Sequence, residues 1–120
     1  MSMGRSLGHL LLSGIFITGG AQAFMQPGGR VTKVAEAGLP GPKQAVELNG
    51  AAMAIGGALL GLGIAPKLAA ATLIGTLVPT TFVGHAFWKE DTPAGRNSQR
   101  TQFFKNLGLL GGLLLVLTEK

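Results

Sequence analysis

Glu47 in "AVELNG" and His85 in "TTFVGHAFW" are ionisable groups set inside otherwise apolar runs. A carboxylate and an imidazole within reach of each other can handle protons, because imidazole titrates near neutral pH. The same two groups, paired, can instead do no more than lock two helices in register. Lys105 and Asn106 in "FFKNLG", together with Arg100 and Gln22, are further polar groups at the margins of apolar stretches, and Lys105 or Arg100 is an alternative partner for Glu47. Conventional reactive groups are otherwise scarce. With no cysteine, disulfides, thiolate catalysis, iron–sulfur ligation and covalent haem attachment are excluded. A catalytic zinc needs about three protein ligands, and only His85 and Glu47 offer themselves, so no metal site is expected. No nucleophile elbow, phosphate-binding loop or dinucleotide fingerprint is present, and no residue is assigned a catalytic role.

The elements that must carry these groups are membrane helices. Charged residues make up 12% of the 120 residues, about half the usual share of a soluble domain. Apolar residues are 47%, with 20 glycines besides. Four apolar runs stand out, at 6–24, 45–64, 68–88 and 101–118, each near the ~20 residues needed to cross a ~30 Å hydrocarbon core. The expectation is one all-α membrane domain over residues 1–120, a four-helix transmembrane bundle with up-down topology. Arg5, "LLLSGIFI" and "AQA" also imitate a signal peptide, but the segment is read as a retained helix. "RVTKVAEAGL" in the 25–44 loop has the pattern of one or two amphipathic turns at the membrane surface. "APK" at 65–67 makes a tight hairpin, and the 89–100 stretch is a polar connector.

Packing signals accompany the runs. Glu47, Gly50, Ala54, Gly57 and Gly61 recur at spacings of three and four, which gives the second helix a small-residue face for close approach of a neighbour. Gly108 and Gly112 are read the same way on the last helix. Pro79 removes a backbone hydrogen bond and kinks the third helix, with Thr76, Thr80 or Thr81 placed to compensate. Trp88 is an interfacial anchor.

In an up-down bundle Gln22, Glu47, His85 and Lys105–Asn106 come to one end, Glu47 and His85 about 3–5 Å below the boundary. Four segments thus deliver polar groups to a single layer, in which Arg100 also takes part and Glu47 is the expected partner of His85. His9 belongs at the opposite end, ~20 Å away along the membrane normal, which excludes haem held by both histidines within one subunit. Three basic residues, Arg5, Lys67 and Lys120, flank the ends that share the termini, against seven on the other side, so the loops 25–44 and 89–100 are expected in the cytoplasm. The basic residues are membrane-flanking, and nucleic acid is not an expected partner.

"GLPGPKQAVELNGAAMAIGGALLGLGIAPKLAAATLIG", then "HAFW", then "FFKNLGLLGGLLL" resembles the DoxX family of small four-helix membrane proteins, over nearly the whole chain. By position Glu47, His85, Trp88, Lys105 and Asn106 match the family's polar pattern. The resemblance implies a membrane partner of oxidoreductases, since the family takes its name from the small membrane subunit of a thiosulfate:quinone oxidoreductase. Larger eukaryotic relatives include a cargo receptor of the early secretory pathway. Without cysteine, sulfur chemistry must reside in a partner. The expected role is a non-catalytic subunit, in a bacterial cytoplasmic membrane, that anchors or organises an oxidoreductase complex among membrane lipids and a protein partner. The alternatives are a quinone- or proton-handling subunit, quinone being the one cofactor considered, and a small-solute transporter.

Overall fold

The computed structural model describes residues 2–120, and every regular element among them is helical. Five α-helices follow one another: α1 (Met3–Met25), α2 (Gly28–Glu36), α3 (Pro42–Leu62), α4 (Pro66–Pro79) and α5 (Pro93–Leu117). Four helices are expected from the hydropathy alone. The fifth, α2, is too short and too polar to stand out as an apolar run, and it occupies the loop where amphipathic turns are expected.

Three segments are long and apolar enough to cross a membrane: Met3–Met25, Pro42–Leu62 and Pro66–Lys89. The molecule measures 45 × 29 × 19 Å, its long axis matching a bilayer with its headgroup regions. Large aliphatic side chains such as Leu11, Ile55, Leu68 and Leu115 are well over half exposed, a surface suited to lipid rather than water.

Small residues set the main interface. A Cβ added to Gly20 of α1 would lie 2.6 Å from the Gly50 carbonyl oxygen and the Ala54 nitrogen of α3. Further along, Gly57 meets Phe16 and Ile17, and Gly61 meets Ser13. Residue numbers rise on one helix as they fall on the other, so α1 and α3 are antiparallel. Gly56 approaches Leu73, and Asn49 reaches Thr76 and Thr80, so α4 returns antiparallel to α3. Thr81 bonds Asn106, while Leu12 meets Gly112 and His9 meets Glu119, which places α5 antiparallel to both α4 and α1. Phe16, Leu60, Leu73 and Leu113, one from each long helix, are almost fully buried together. Gly108 does not share in close packing: a Cβ there meets nothing within 4 Å, and at Gly112 it meets only Leu12 at 3.6 Å. Glycines on a helix permit close approach, but the neighbour's position decides which of them are used, and α1 and α5 touch sparsely.

The third run is not one straight helix to residue 88. Regular α-geometry ends at Pro79, residues 80–84 form a wider π-type turn, and the chain leaves helical geometry at His85 (φ −123°, ψ 44°) and Ala86 before a short 3₁₀ turn at 87–89. Pro79 has no N–H to give and its ring crowds the preceding turn. The Thr80 hydroxyl donates to the Thr76 carbonyl at 2.8 Å and the Thr81 hydroxyl to the Leu77 carbonyl at 2.7 Å, which adds side-chain donors to the turn after Pro79. α5 starts eight residues before the expected 101. Thr92 caps it by accepting the Gly95 N–H at 3.0 Å, and Pro93 stands in the first turn, where a missing donor costs nothing.

A tight turn at 63–65 joins α3 to α4, with Gly63 (φ 71°) ending one helix and Ala65 (φ 45°) starting the next in left-handed geometry. This turn, Ser6 and His9 line a small cavity of about 250 Å³, so the chain ends and the hairpin share one pole of the molecule. α2, the break at His85 and the start of α5 share the other.

Candidate functional site

At the α2 pole the wedge between α1 and α5 opens into a half-enclosed cavity of about 680 Å³. Its walls are apolar: Ile15 and Phe16 from α1, Val46 and Met53 from α3, Leu77 from α4, Leu109 from α5. Its rim is polar and draws on α1, α2, α3, the π-type turn after α4 and α5. The π-turn brings His85 inward at the point where the backbone leaves helical geometry, and α5 supplies Gln99, Gln102, Lys105 and Asn106. Because α5 is already helical at residue 93, Gln99, Gln102, Asn106 and Leu109 fall at i, i+3, i+7 and i+10, one continuous stripe.

Four of the six residues expected in the polar layer line this cavity: Gln22, His85, Lys105 and Asn106. Glu47 and Arg100 do not. Glu47 is half-buried on α3, but the cavity stripe there is Ala45, Val46, Asn49, Gly50 and Met53, and Glu47 lies roughly 100° past Val46 on the side away from Ala45. Glu47 accordingly makes no hydrogen bond or ion pair with His85, Lys105 or Arg100. The sole contact between a basic side chain and a carboxylate among the described residues joins His9 to Glu119 at 3.1 Å, at the opposite pole. Arg100 is exposed and donates to Asn97 on its own helix.

His85 Nδ1 and Gln99 Oε1 lie 2.7 Å apart, the imidazole donating. Gln99 carries an amide, which orients the ring without offering it a base. Asn106 is buried and donates to the Thr81 hydroxyl at 3.1 Å, which ties α5 to the π-turn. Asn49 does the same from α3, donating to Thr80 Oγ1 at 3.1 Å and to the Thr76 carbonyl at 3.3 Å. These amides hold the distorted turn open at a fixed shape. Lys105 donates to Gln102 one turn back.

Trp88 is half-exposed, as an interfacial side chain can be, but it also belongs to an aromatic group. Phe103 meets Phe82, Phe87 and Trp88 edge-to-face, with centroids 5.3–5.8 Å apart. This group clamps the irregular 85–89 segment onto α5 just outside the cavity.

Two cations were not singled out by the sequence. Lys33 of α2 donates to the Gly84 carbonyl at 2.8 Å, and Arg30 lies one turn before it; both line the rim. Lys105, Lys33 and Arg30 all lie within electrostatic reach of His85. The three-residue spacing of Arg30 and Lys33 in an amphipathic segment is the signal that could have found them. No group of three or more His, Asp or Glu residues that could hold a metal ion occurs among the described residues.

A family model described as DoxX matches residues 4–86, which run from α1 through the break at His85–Ala86. No curated protein and no solved structure gives a significant match.

Proposed function

This chain belongs to the DoxX family, and from that premise we propose that it is an integral membrane binding subunit, not catalytic on its own, that anchors or organises a membrane oxidoreductase. In this reading α1, α3, α4 with its extension to residue 89, and α5 cross the bilayer as a four-helix bundle. α2 lies along the interface. The pole that carries α2 and the cavity faces the cytoplasm, because most of the basic residues are there.

The observation that carries the reading is the cavity itself. At about 680 Å³ it is of the size that holds a small molecule, and its apolar walls with a polar rim match an amphiphile with its headgroup at the membrane surface. The rim positions and donates; it has no acid–base pair. His85 is bonded to an amide, and the carboxylate expected beside it lies on another face of α3. A quinone headgroup, with its two carbonyl acceptors, is one class of occupant that such donors accommodate, and electron transfer to it belongs to the partner.

Purification of the chain in a mild detergent, followed by native mass spectrometry, tests this. An oxidoreductase polypeptide in defined stoichiometry and an amphiphile mass on the subunit are expected. A homogeneous protein that carries neither, across several detergents, overturns the reading.

A further inference from the structure

Three cations line one cavity, and none of them forms an ion pair with a carboxylate. Lys33, Arg30 and Lys105 stand on its rim, and no carboxylate is among the lining residues. Four acids, Glu36, Glu47, Glu90 and Asp91, belong to segments at this pole, yet none forms an ion pair with any lysine or arginine. Like charges gathered on one rim repel one another. The arrangement is stable when a counter-charge comes from outside the chain.

The cations are also placed rather than scattered. Lys33 is held by the Gly84 carbonyl and Lys105 by Gln102, which fixes one donor of each ammonium and leaves others to bind. Arg30 sits one helical turn from Lys33 on α2, which spans the cavity mouth from the loop side. Below the rim the wall is mainly aliphatic and aromatic, from Ile15 and Phe16 to Leu109, and its amides Asn49 and Asn106 are engaged with Thr80 and Thr81. Such a wall gives no favourable contact to a free inorganic anion but suits a hydrocarbon chain.

Resting on the reading of the cavity as a binding site, we infer that its ligand is an anionic amphiphile, whose carboxylate or phosphodiester headgroup is held by Lys33, Arg30 and Lys105 while its chain lies against the α1–α5 wedge. Basic groups at a membrane surface contribute about 1 kcal/mol each toward an anionic headgroup, so removing one weakens binding about fivefold.

The test is titration of the full chain in mild detergent with five probes, followed by native mass spectrometry. The probes are phosphatidylglycerol, phosphatidylcholine, a short-chain neutral quinone, inorganic phosphate and a long-chain fatty acid, the last separating carboxylate from phosphodiester. Phosphatidylglycerol or the fatty acid is expected to bind at one site, well ahead of phosphatidylcholine, and phosphate not at all. Lys105→Gln and Arg30→Gln should each weaken binding about fivefold and the double variant about 25-fold. Lys67→Gln, at the opposite pole, should leave it unchanged. Lys33→Gln also loses the bond to Gly84, so the other two variants carry the test. Equal binding of phosphatidylcholine or quinone, or full retention in the double variant, overturns the anionic preference and leaves the binding site standing. Phosphate binding as tightly as the lipid overturns the role of the chain. If no probe binds, the cavity reading fails with it.

Discussion

Gly50→Ala should part the two helices that make the main interface of the molecule. The added Cβ would stand 2.7 Å from the Gly20 carbonyl oxygen, 2.9 Å from the Phe24 nitrogen and 3.0 Å from the Ala23 Cβ. Two of these are backbone atoms, so no rotamer change relieves them. Ordinary contact begins at 3.4 Å, and α1 must therefore retreat by about 0.7 Å. A gap of 0.5–1 Å forfeits a quarter to a half of each contact's ~0.1–0.2 kcal/mol, which over some tens of atom pairs comes to ~2 kcal/mol. Alanine returns up to ~1 kcal/mol in helix propensity, leaving a net loss of ~1–2 kcal/mol and a Tm lower by roughly 3–10 °C. Gly108→Ala is the matched control, because its Cβ meets nothing and only the propensity gain remains. Gly20→Ala presses on the same interface from the other side, against the Gly50 carbonyl oxygen and the Ala54 nitrogen, so the double variant should lose less than the two single losses combined. The assay is thermal unfolding of the purified protein in one detergent, followed by circular dichroism. If Gly50→Ala melts at or above the wild-type temperature while Gly108→Ala behaves likewise, close α1–α3 contact is not what holds the bundle.

Phe103→Ala removes the ring that meets Phe82, Phe87 and Trp88, and should cost about 2–4 kcal/mol. Trp88 is the only tryptophan, so the freed 85–89 segment should show directly as lower fluorescence anisotropy; an unchanged signal refutes the clamp. Asn106→Ala breaks the buried bond to Thr81 and leaves a void, for a loss of about 1–2 kcal/mol in thermal melts, whereas Asn106→Leu, which fills the space, should lose less. Ala65→Gly should raise stability by about 0.5–1 kcal/mol, since a left-handed φ of 45° strains alanine but not glycine. A lower Tm for that variant would show that the turn is not strained.

Position along the long axis was legible in the sequence for α1 and α3, whose ends fall within a turn of the apolar runs, whereas α4 stops at Pro79 and α5 starts at Pro93, each about two turns from the end of its run. This placed Gln22, His85, Lys105 and Asn106 at one level, and all four line the same cavity. The polar start of α5 reads as a connector because its hydropathy is low. Helical hydrogen bonding does not require apolar residues, and the Thr92–Pro93 start is the better guide. The break at His85 was only half legible: Pro79 announces a distortion, but its extent depends on Asn49 and Asn106, which bond the turn from two other helices.

Azimuth was the part that depth could not give. Glu47 and Asn49 are two residues apart on α3, yet Asn49 meets α4 and lines the cavity while Glu47 does not. What decides between them is the α1–α3 interface, where Gly50, Gly57 and Gly61 must face Gly20, Phe16 and Ser13. Once those glycines are turned toward α1, the rotation of α3 is set and Glu47 is carried off the cavity stripe. The carboxylate is thereby withdrawn from the cations by packing rather than by any electrostatic preference. A helix fixed by the shape of its small-residue face keeps an acid out of the cavity, and the charge that Lys33, Arg30 and Lys105 await must come from a ligand.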